Sequence, residues 1–270
     1  METNMTLILA EILNLVERRP TFISSIVTIC YACAYAILRY LRLFHPQVGV
    51  LKSSEEAEWR SRILGIFNGT IITFGSVLCY LSWPEKVEED SWIAIDGDLK
   101  NAYPALFISL LIGFFQWDFV WLLAHMKENY DPSAIFHHII YIFVTQYCIF
   151  DRCLIRTVAW LTFAELSTPF LHLRWYLAAI NEKNNFWYVP TCLAFASTFL
   201  FTRIFCYSLG IADLWYYRTM WSNENTPFAL YAVVAALHAG CGLNYFWSLK
   251  VIQALLRLFN IAGSEESKKS

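Results

Sequence analysis

Apolar residues in this chain run in long blocks that carry no polar face, separated by short polar stretches. A soluble amphipathic helix instead shows a one-sided apolar stripe. Seven blocks stand out, at about 21–43, 63–83, 104–125, 134–150, 154–178, 186–211 and 228–250. Each is long enough to cross a hydrocarbon core of about 30 Å as helix. Helix is the form required, because lipid offers an open strand no partner for its backbone groups. The links at 126–133 and 179–185 are short and join antiparallel neighbours. Residues 6–16 are also apolar, but Glu11 interrupts them, and they lack the basic start and small-residue cleavage site of a signal peptide. They read as an interfacial helix. No repeat of fixed period is present, and the only low-complexity run is the polar tail after Asn260. The pattern predicts an all-α polytopic membrane protein of about seven transmembrane helices.

Composition sharpens this. Hydrophobic residues make up 57% of the 270 and charged residues only 16%, against about 25% charged in ordinary globular proteins. Mean hydropathy is +0.43, which excludes a soluble enzyme. The net charge of −2 and the lack of a basic run make nucleic acid an unexpected partner. The eight Cys are scattered through apolar segments, with no spacing of a disulfide framework or a zinc site. Cys30 and Cys33 have C-x-x-C spacing in mid-span and read as small packing residues.

Orientation follows from Lys and Arg on each side. One side holds Arg39, Arg42, Lys52, Arg60, Arg62, Lys127, Lys183, Lys250, Arg257, Lys268 and Lys269, eleven in all. The other holds Arg18, Arg19, Lys86, Lys100, Arg152, Arg156 and Arg218, seven, together with an acidic loop at 85–98. The N-terminus is therefore expected in the lumen and the C-terminus in the cytosol. A glycosylation sequon at Asn4-Met5-Thr6 falls on the lumenal side, whereas Asn68-Gly69-Thr70 lies inside a span and is expected to stay bare. Aromatic pairs such as Trp175/Tyr176, Trp187/Tyr188 and Trp215/Tyr216 mark helix ends at the interfaces.

Ionisable groups inside a membrane are costly, so each is a functional candidate. Here they are Asp118, His125, His137, His138, Glu165, His172, Arg174, Arg203 and His238. Threading the spans through the bilayer puts several of them in the cytosolic half. His125 follows Asp118 by seven residues and His172 follows Glu165 by seven, so each pair shares a helical face. A polar pocket between helices, opening to the cytosol, accounts for them economically. Adjacent histidines point about 100° apart on a helix, which suits one as general base or nucleophile with its neighbour orienting it. Metal chelation fits less well, and six His without H-x-x-H-H boxes do not supply a di-iron oxidase site; no metal is expected. Arg203 also has a structural reading, as the buried partner of Glu165 or Asp118. His238, among Ala235, Ala236, Ala239, Gly240 and Gly242, reads as a packing residue where helices approach closely.

These residues resemble a known family. The stretch Ile135-Phe136-His137-His138-Ile139-Ile140, followed by Phe163-Ala164-Glu165-Leu166-Ser167-Thr168-Pro169-Phe170-Leu171-His172-Leu173-Arg174-Trp175, looks like the TLC domain. TRAM translocation proteins, Lag-type ceramide synthases and the endoplasmic reticulum protein of a ceroid lipofuscinosis share that module. Glu58-Trp59-Arg60-Ser61-Arg62, Asp118, Thr202-Arg203 and Leu243-Asn244-Tyr245-Phe246-Trp247 also match. The likeness spans about residues 55–255, with an interfacial segment, one helix and a cytosolic linker at 1–54 and a polar cytosolic tail at 256–270. It implies six helices of TLC type around a central polar pocket. Ceramide synthases carry H-D-x-x-D-x-x-x-E-x-x-K where this chain runs from Ala164 to Trp175: one acid remains as Glu165, the His is Ala164, the second Asp is Thr168, the Glu is His172 and the Lys is Trp175. The short TLC domain-containing proteins are therefore the better likeness.

Two functions follow as expectations. In the first, the chain is an acyl-CoA-dependent acyltransferase: His137 or His138 takes a proton from the acceptor or accepts the acyl group, and Glu165 or Asp118 holds the imidazole. Arg174, His172, Arg203 and Asn244 then bind the lipid or a phosphate of CoA. In the second, the same pocket holds a headgroup without catalysis, and the protein senses or adjusts phospholipid or sphingolipid composition. A translocation helper and a seven-helix receptor fit less well; the only D-R-C triplet, Asp151-Arg152-Cys153, is lumenal, and N-P-x-x-Y is absent from the last span. No bound cofactor is expected, with acyl-CoA as co-substrate. The expected partners are membrane lipids and fatty acyl-CoA, with homodimerisation open. Topology, the resemblance and lysines near the tail's end (Lys268, Lys269) point to the endoplasmic reticulum.

Overall fold

The structure, a computed structural model, describes residues 11, 15, 18–42, 51, 53–81, 99–128, 130–151, 153–222, 224 and 226–266. The sequon at Asn4, most of the interfacial segment at 6–16, most of the acidic loop at 85–98 and the tail at 267–270 lie outside the described residues. The described residues are helical and contain no strand. In chain order the helices are α1 (Pro20–Leu41), α2 (Ser53–Leu81), α3 (Leu99–Ala124), α4 (Pro132–Phe150), α5 (Ile155–Thr162), α6 (Thr168–Ala179), α7 (Tyr188–Leu200), α8 (Tyr207–Tyr216), α9 (Arg218–Trp221) and α10 (Phe228–Glu266). A 3-10 turn over Phe163–Ser167 links α5 to α6, and a π-helical turn over Phe201–Cys206 links α7 to α8.

Six segments are long and apolar enough to cross a membrane: 20–41, 55–81, 105–124, 132–150, 188–216 and 228–257. The seventh apolar block, 154–178, is helical but broken, and this is where the chain departs from a plain reading of its hydropathy. Pro169 lies in the first turn of α6 and has no N–H to give the carbonyl of Glu165. The backbone tightens there into 3-10 geometry, with the N–H of Thr168 bonding the Glu165 carbonyl instead.

Helix contacts close a ring. α2 packs on α3, α3 on α4, α4 on α10, α10 on α7 and the π turn, α7 on α6, and α6 back on α2. α1 stands outside the ring, against α3. Its buried residues Ser24, Tyr31 and Leu38 recur every seventh position and so form one stripe. That stripe meets α3 at Phe114 and Trp117, whose rings lie 5.1 and 5.9 Å from that of Tyr31. The Tyr31 hydroxyl donates to Asn68 Oδ1 at 3.1 Å, so the acceptor Asn of the sequon inside the span is buried and engaged. Glycines set the close approaches, as is common between membrane helices. Gly65 and Gly69 sit one turn apart on α2, the first beneath the His172 ring and the second against Thr168 and the carbonyl of Glu165.

One half of the ring is filled by an apolar core that includes Ile72, Ile108, Leu111, Val158, Leu161, Leu214 and Val233. The other half is not filled.

A test of α1 docking follows from Gly113, where an added Cβ would meet Val27 Cγ1 at 2.5 Å and the Ser24 carbonyl at 2.8 Å. A backbone carbonyl cannot swing aside as a side chain can. Gly113→Val is expected to destabilise the protein by about 1–3 kcal/mol, the usual cost of overpacking. Thermal unfolding in detergent checks this, and an unchanged midpoint would show that α1 is not seated on Gly113.

Candidate functional site

The open half of the ring is a cavity of about 900 Å³, the upper part of the range for small-molecule sites. Its walls come from the start of α2, the end of α3, the start of α4, α6, α7 and the C-terminal part of α10. All of these lie at the same end of the bundle as the α3–α4 connection, whose Glu128, Tyr130 and Asp131 form part of the rim. Asp118, His137, His138, Glu165, His172, Arg174 and Arg203 all line the cavity, although they come from four separate stretches of sequence.

The two histidines part company at once. His138 faces α3, where its Nε2 lies 2.9 Å from Asp118 Oδ2. Its Nδ1 lies 2.8 Å from the carbonyl of Ala134, one turn back on α4. A carbonyl only accepts, so Nδ1 carries a hydrogen and Nε2 is left to meet the acid. The proton in that contact belongs to the pair, as imidazolium and carboxylate or as neutral imidazole and carboxylic acid. Ser61 donates to the other Asp118 oxygen at 3.4 Å. Both nitrogens of His138 are thus committed. His137, about 100° further round the helix, turns from Asp118 toward α10. Its ring packs against Tyr141 at 4.4 Å, Trp247 at 5.2 Å and Phe115 at 5.6 Å. Among the described residues it makes no hydrogen bond.

Glu165 serves a different partner. Its carboxylate lies 3.7 Å from Arg203 Nη2 and accepts from Thr168 Oγ1 at 2.7 Å. Arg203 Nη1 donates to Asn244 Oδ1 at 3.2 Å. The guanidinium is stacked over Phe199 and Trp247 at 5.1 and 5.8 Å. The 3-10 turn holding Glu165, the π turn holding Arg203 and α10 are therefore tied by one buried polar chain. Asn244 itself is buried behind Arg203 and does not line the cavity. Of the two acids the sequence offers to hold an imidazole, Asp118 does so and Glu165 is taken up by Arg203.

Nearer the rim, His172 Nδ1 accepts from Arg62 Nη1 at 2.9 Å, and the same guanidinium binds Glu58 through Nε at 3.0 Å and Nη2 at 2.5 Å. It also covers the Trp175 ring at 4.6 Å. Arg174 stacks over Phe195 at 5.5 Å, and among the described residues no carboxylate pairs with it. Two candidates stay out of the site. His125 bonds the Trp121 carbonyl at 2.8 Å and stacks on that residue's ring. His238 accepts from Trp215 Nε1 at 2.9 Å and donates to the Val234 carbonyl, a tie between α8 and α10. Among the described residues no three His, Cys, Asp or Glu converge as a metal cluster. Sequence reasoning gives no role to Arg62, Ser61, Thr168, Tyr141 or Trp247. Arg62 had a usable signal, since Glu58 and Arg62 are spaced i, i+4 at the start of a span.

Removing Arg203 would leave Glu165 as an uncompensated buried acid, a loss of about 3–5 kcal/mol. Arg203→Ala is expected to reduce the yield of monodisperse protein sharply. Adding Glu165→Gln to it is expected to restore much of that yield, because the stranded charge is gone. A double variant as poor as the single would mean that the pair does not couple.

The chain matches the TLC domain over residues 58–253. TLC domain-containing protein 4 A of Dictyostelium discoideum is 23% identical over 223 residues, covering 80% of this chain and 81% of that protein. TLC domain-containing protein 4-A of Xenopus laevis is also 23% identical, covering 77% and 79% of the two chains. TLC domain-containing protein 2 of Danio rerio is 21% identical over 170 residues, 61% of this chain and 67% of its own. No solved structure matches. With the domain covering most of its length, and with six membrane-crossing helices among its described residues, this chain belongs to the TLC domain family of multi-pass membrane proteins.

Proposed function

We propose that this protein is an acyl-CoA-dependent acyltransferase of membrane lipid homeostasis, with His137 as its general base. One observation carries the reading. Of the deep polar groups lining the cavity, His137 alone makes no hydrogen bond among the described residues, while His138 is held by Asp118 and the Ala134 carbonyl, and Glu165 by Thr168 and Arg203. A base must have a free nitrogen within reach of the proton it takes. Tyr141, Trp247 and Phe115 fix the ring without occupying its nitrogens.

The chemistry balances simply. An amine or hydroxyl of a lipid acceptor loses its proton to His137 and attacks the thioester carbonyl. The C–S bond breaks, and the proton passes from the imidazolium to the CoA thiolate. Arg174, which pairs with no acid among the described residues, and Lys250 stand on the cavity wall nearer its mouth and suit the phosphates of CoA. The acyl chain has apolar walls along Phe195, Phe199, Val251 and Leu255. The fixed His138–Asp118 pair stands beside His137, with ring centroids 5.6 Å apart, and holds α4 in register against α3. The surplus of Lys and Arg on the cavity side supports a cytosolic mouth, through which acyl-CoA would enter.

A second reading keeps the cavity and drops the reaction: a lipid-binding regulator whose headgroup site uses Arg174, Arg62 and Lys250. Its supporting observation is the mixture of acids and bases at the rim, Glu58, Arg62, Glu128, Arg174 and Lys250, which suits a zwitterionic headgroup.

Release of CoA by purified protein separates the two, using long-chain acyl-CoA and a pool of sphingoid bases, lysophospholipids and amines. Acceptor-dependent release is expected, and His137→Ala is expected to reduce it at least 100-fold, the usual scale of general-base catalysis, with protein that still purifies folded. His138→Ala is expected to lower both release and stability, since it strands Asp118. No release from wild type, with lipid still co-purifying, would replace the transferase reading by the regulator.

A further inference from the structure

The turn that ends α4 brings together two cysteines that spacing alone does not pair. Cys148 lies in the last turn of α4 and Cys153 just past it, and the Cys153 N–H donates to the Cys148 carbonyl at 3.0 Å. That bond spans five residues, the six-to-one closure of a Schellman-type helix end, which places the side chains of its first and last residues against each other. In most helices an apolar contact fills that position. Here it is filled by two thiols, both free in the structure and both buried among Ile149, Leu154 and Ile155 in the apolar half of the ring.

The next residue adds a second observation. Leu154 starts α5 with φ of 54° and is fully buried. A bulky side chain in the left-handed region is strained and persists only where its surroundings leave no alternative. A covalent link across residues 148–153 supplies that constraint directly. The turn also lies at the end of the bundle opposite the cavity mouth, the end with fewer Lys and Arg, where an oxidising lumen permits disulfides.

We propose that Cys148 and Cys153 form a disulfide that closes the α4–α5 turn in the mature protein. The two thiols lose two electrons and two protons to a disulfide oxidant of the lumen, protein or glutathione, which is reduced to two thiols. Burial on both sides then shields the bond from reductants. The inference stands apart from the acyl-transfer reading, because the turn lies at the far end of α4 from His137.

Peptide mapping of the full-length protein from membranes tests it, with free thiols blocked by N-ethylmaleimide in denaturant before digestion. Trypsin cleaves after Arg152, between the two cysteines, so the bond would join peptides 128–152 and 153–156. The joined species is expected without reductant and its two separate, unblocked halves after reduction. Both cysteines carrying maleimide before reduction would overturn the proposal. Reductant is also expected to lower the unfolding midpoint of wild type by several degrees and to leave Cys148→Ser/Cys153→Ser unchanged; an equal fall in both would overturn it as well.

Discussion

A charge inside a membrane protein must find its partner within the protein, because lipid supplies none and the cost of an unpaired ion is several kcal/mol. Among the described residues, two such pairings line the deep part of the cavity, and a third, Arg156 with Asp213, joins α5 to α8 away from it. Asp118 and His138 join α3 to α4, and Glu165 and Arg203 join the broken fifth segment to the π turn and, through Asn244, to α10. Each crosses between segments, and the Glu165–Arg203 pair sits where irregular backbone and a close approach make the crossing reachable. The 3-10 turn ahead of Pro169 sets the backbone at Glu165, the π turn does the same at Arg203, and Gly69 lets α2 come against the Glu165 carbonyl. Regular helices with ordinary side chains at these points would hold the same residues further apart.

The division of the ring into an apolar half and a hollow polar half follows from the same constraint. Large aliphatic and aromatic side chains fill one half from all sides, and it contributes no deep charge to the cavity. In the other half the ion pairs hold the helices at a distance that side chains do not fill. An amphiphile suits the resulting space, with polar groups at the rim and both apolar walls and an imidazole deeper in.

The asymmetry of the two histidines is the most consequential local result. They are neighbours on one helix, and a single residue step rotates the second toward α3 and leaves the first facing α10 and the cavity. His137 is the one of the two that makes no hydrogen bond among the described residues. Register and electrostatics fall to His138. The sequence leaves open which histidine is free and whether Asp118 or Glu165 meets an imidazole; the geometry pairs His138 with Asp118 and Glu165 with Arg203.

Much of this was legible in the order of residues. The apolar blocks, the helical class and the few charged residues worth attention could all be read from it, although the seven blocks it offers include one that the structure breaks. Each is a property of one segment facing its solvent, and lipid imposes its demand for apolar surface and internal hydrogen bonds on every segment separately. The family likeness was readable for a similar reason, since its motifs are local. What tertiary structure alone decided is which groups meet. That His125 bonds its own helix while Asp118, seven residues earlier, reaches α4, that Arg62 belongs to His172, and that the Cys153 N–H reaches the Cys148 carbonyl all depend on helix crossings and on the exact backbone of two turns. Crossing angle and separation arise from glycines and large side chains on both partners at once, so no single stretch of sequence contains them.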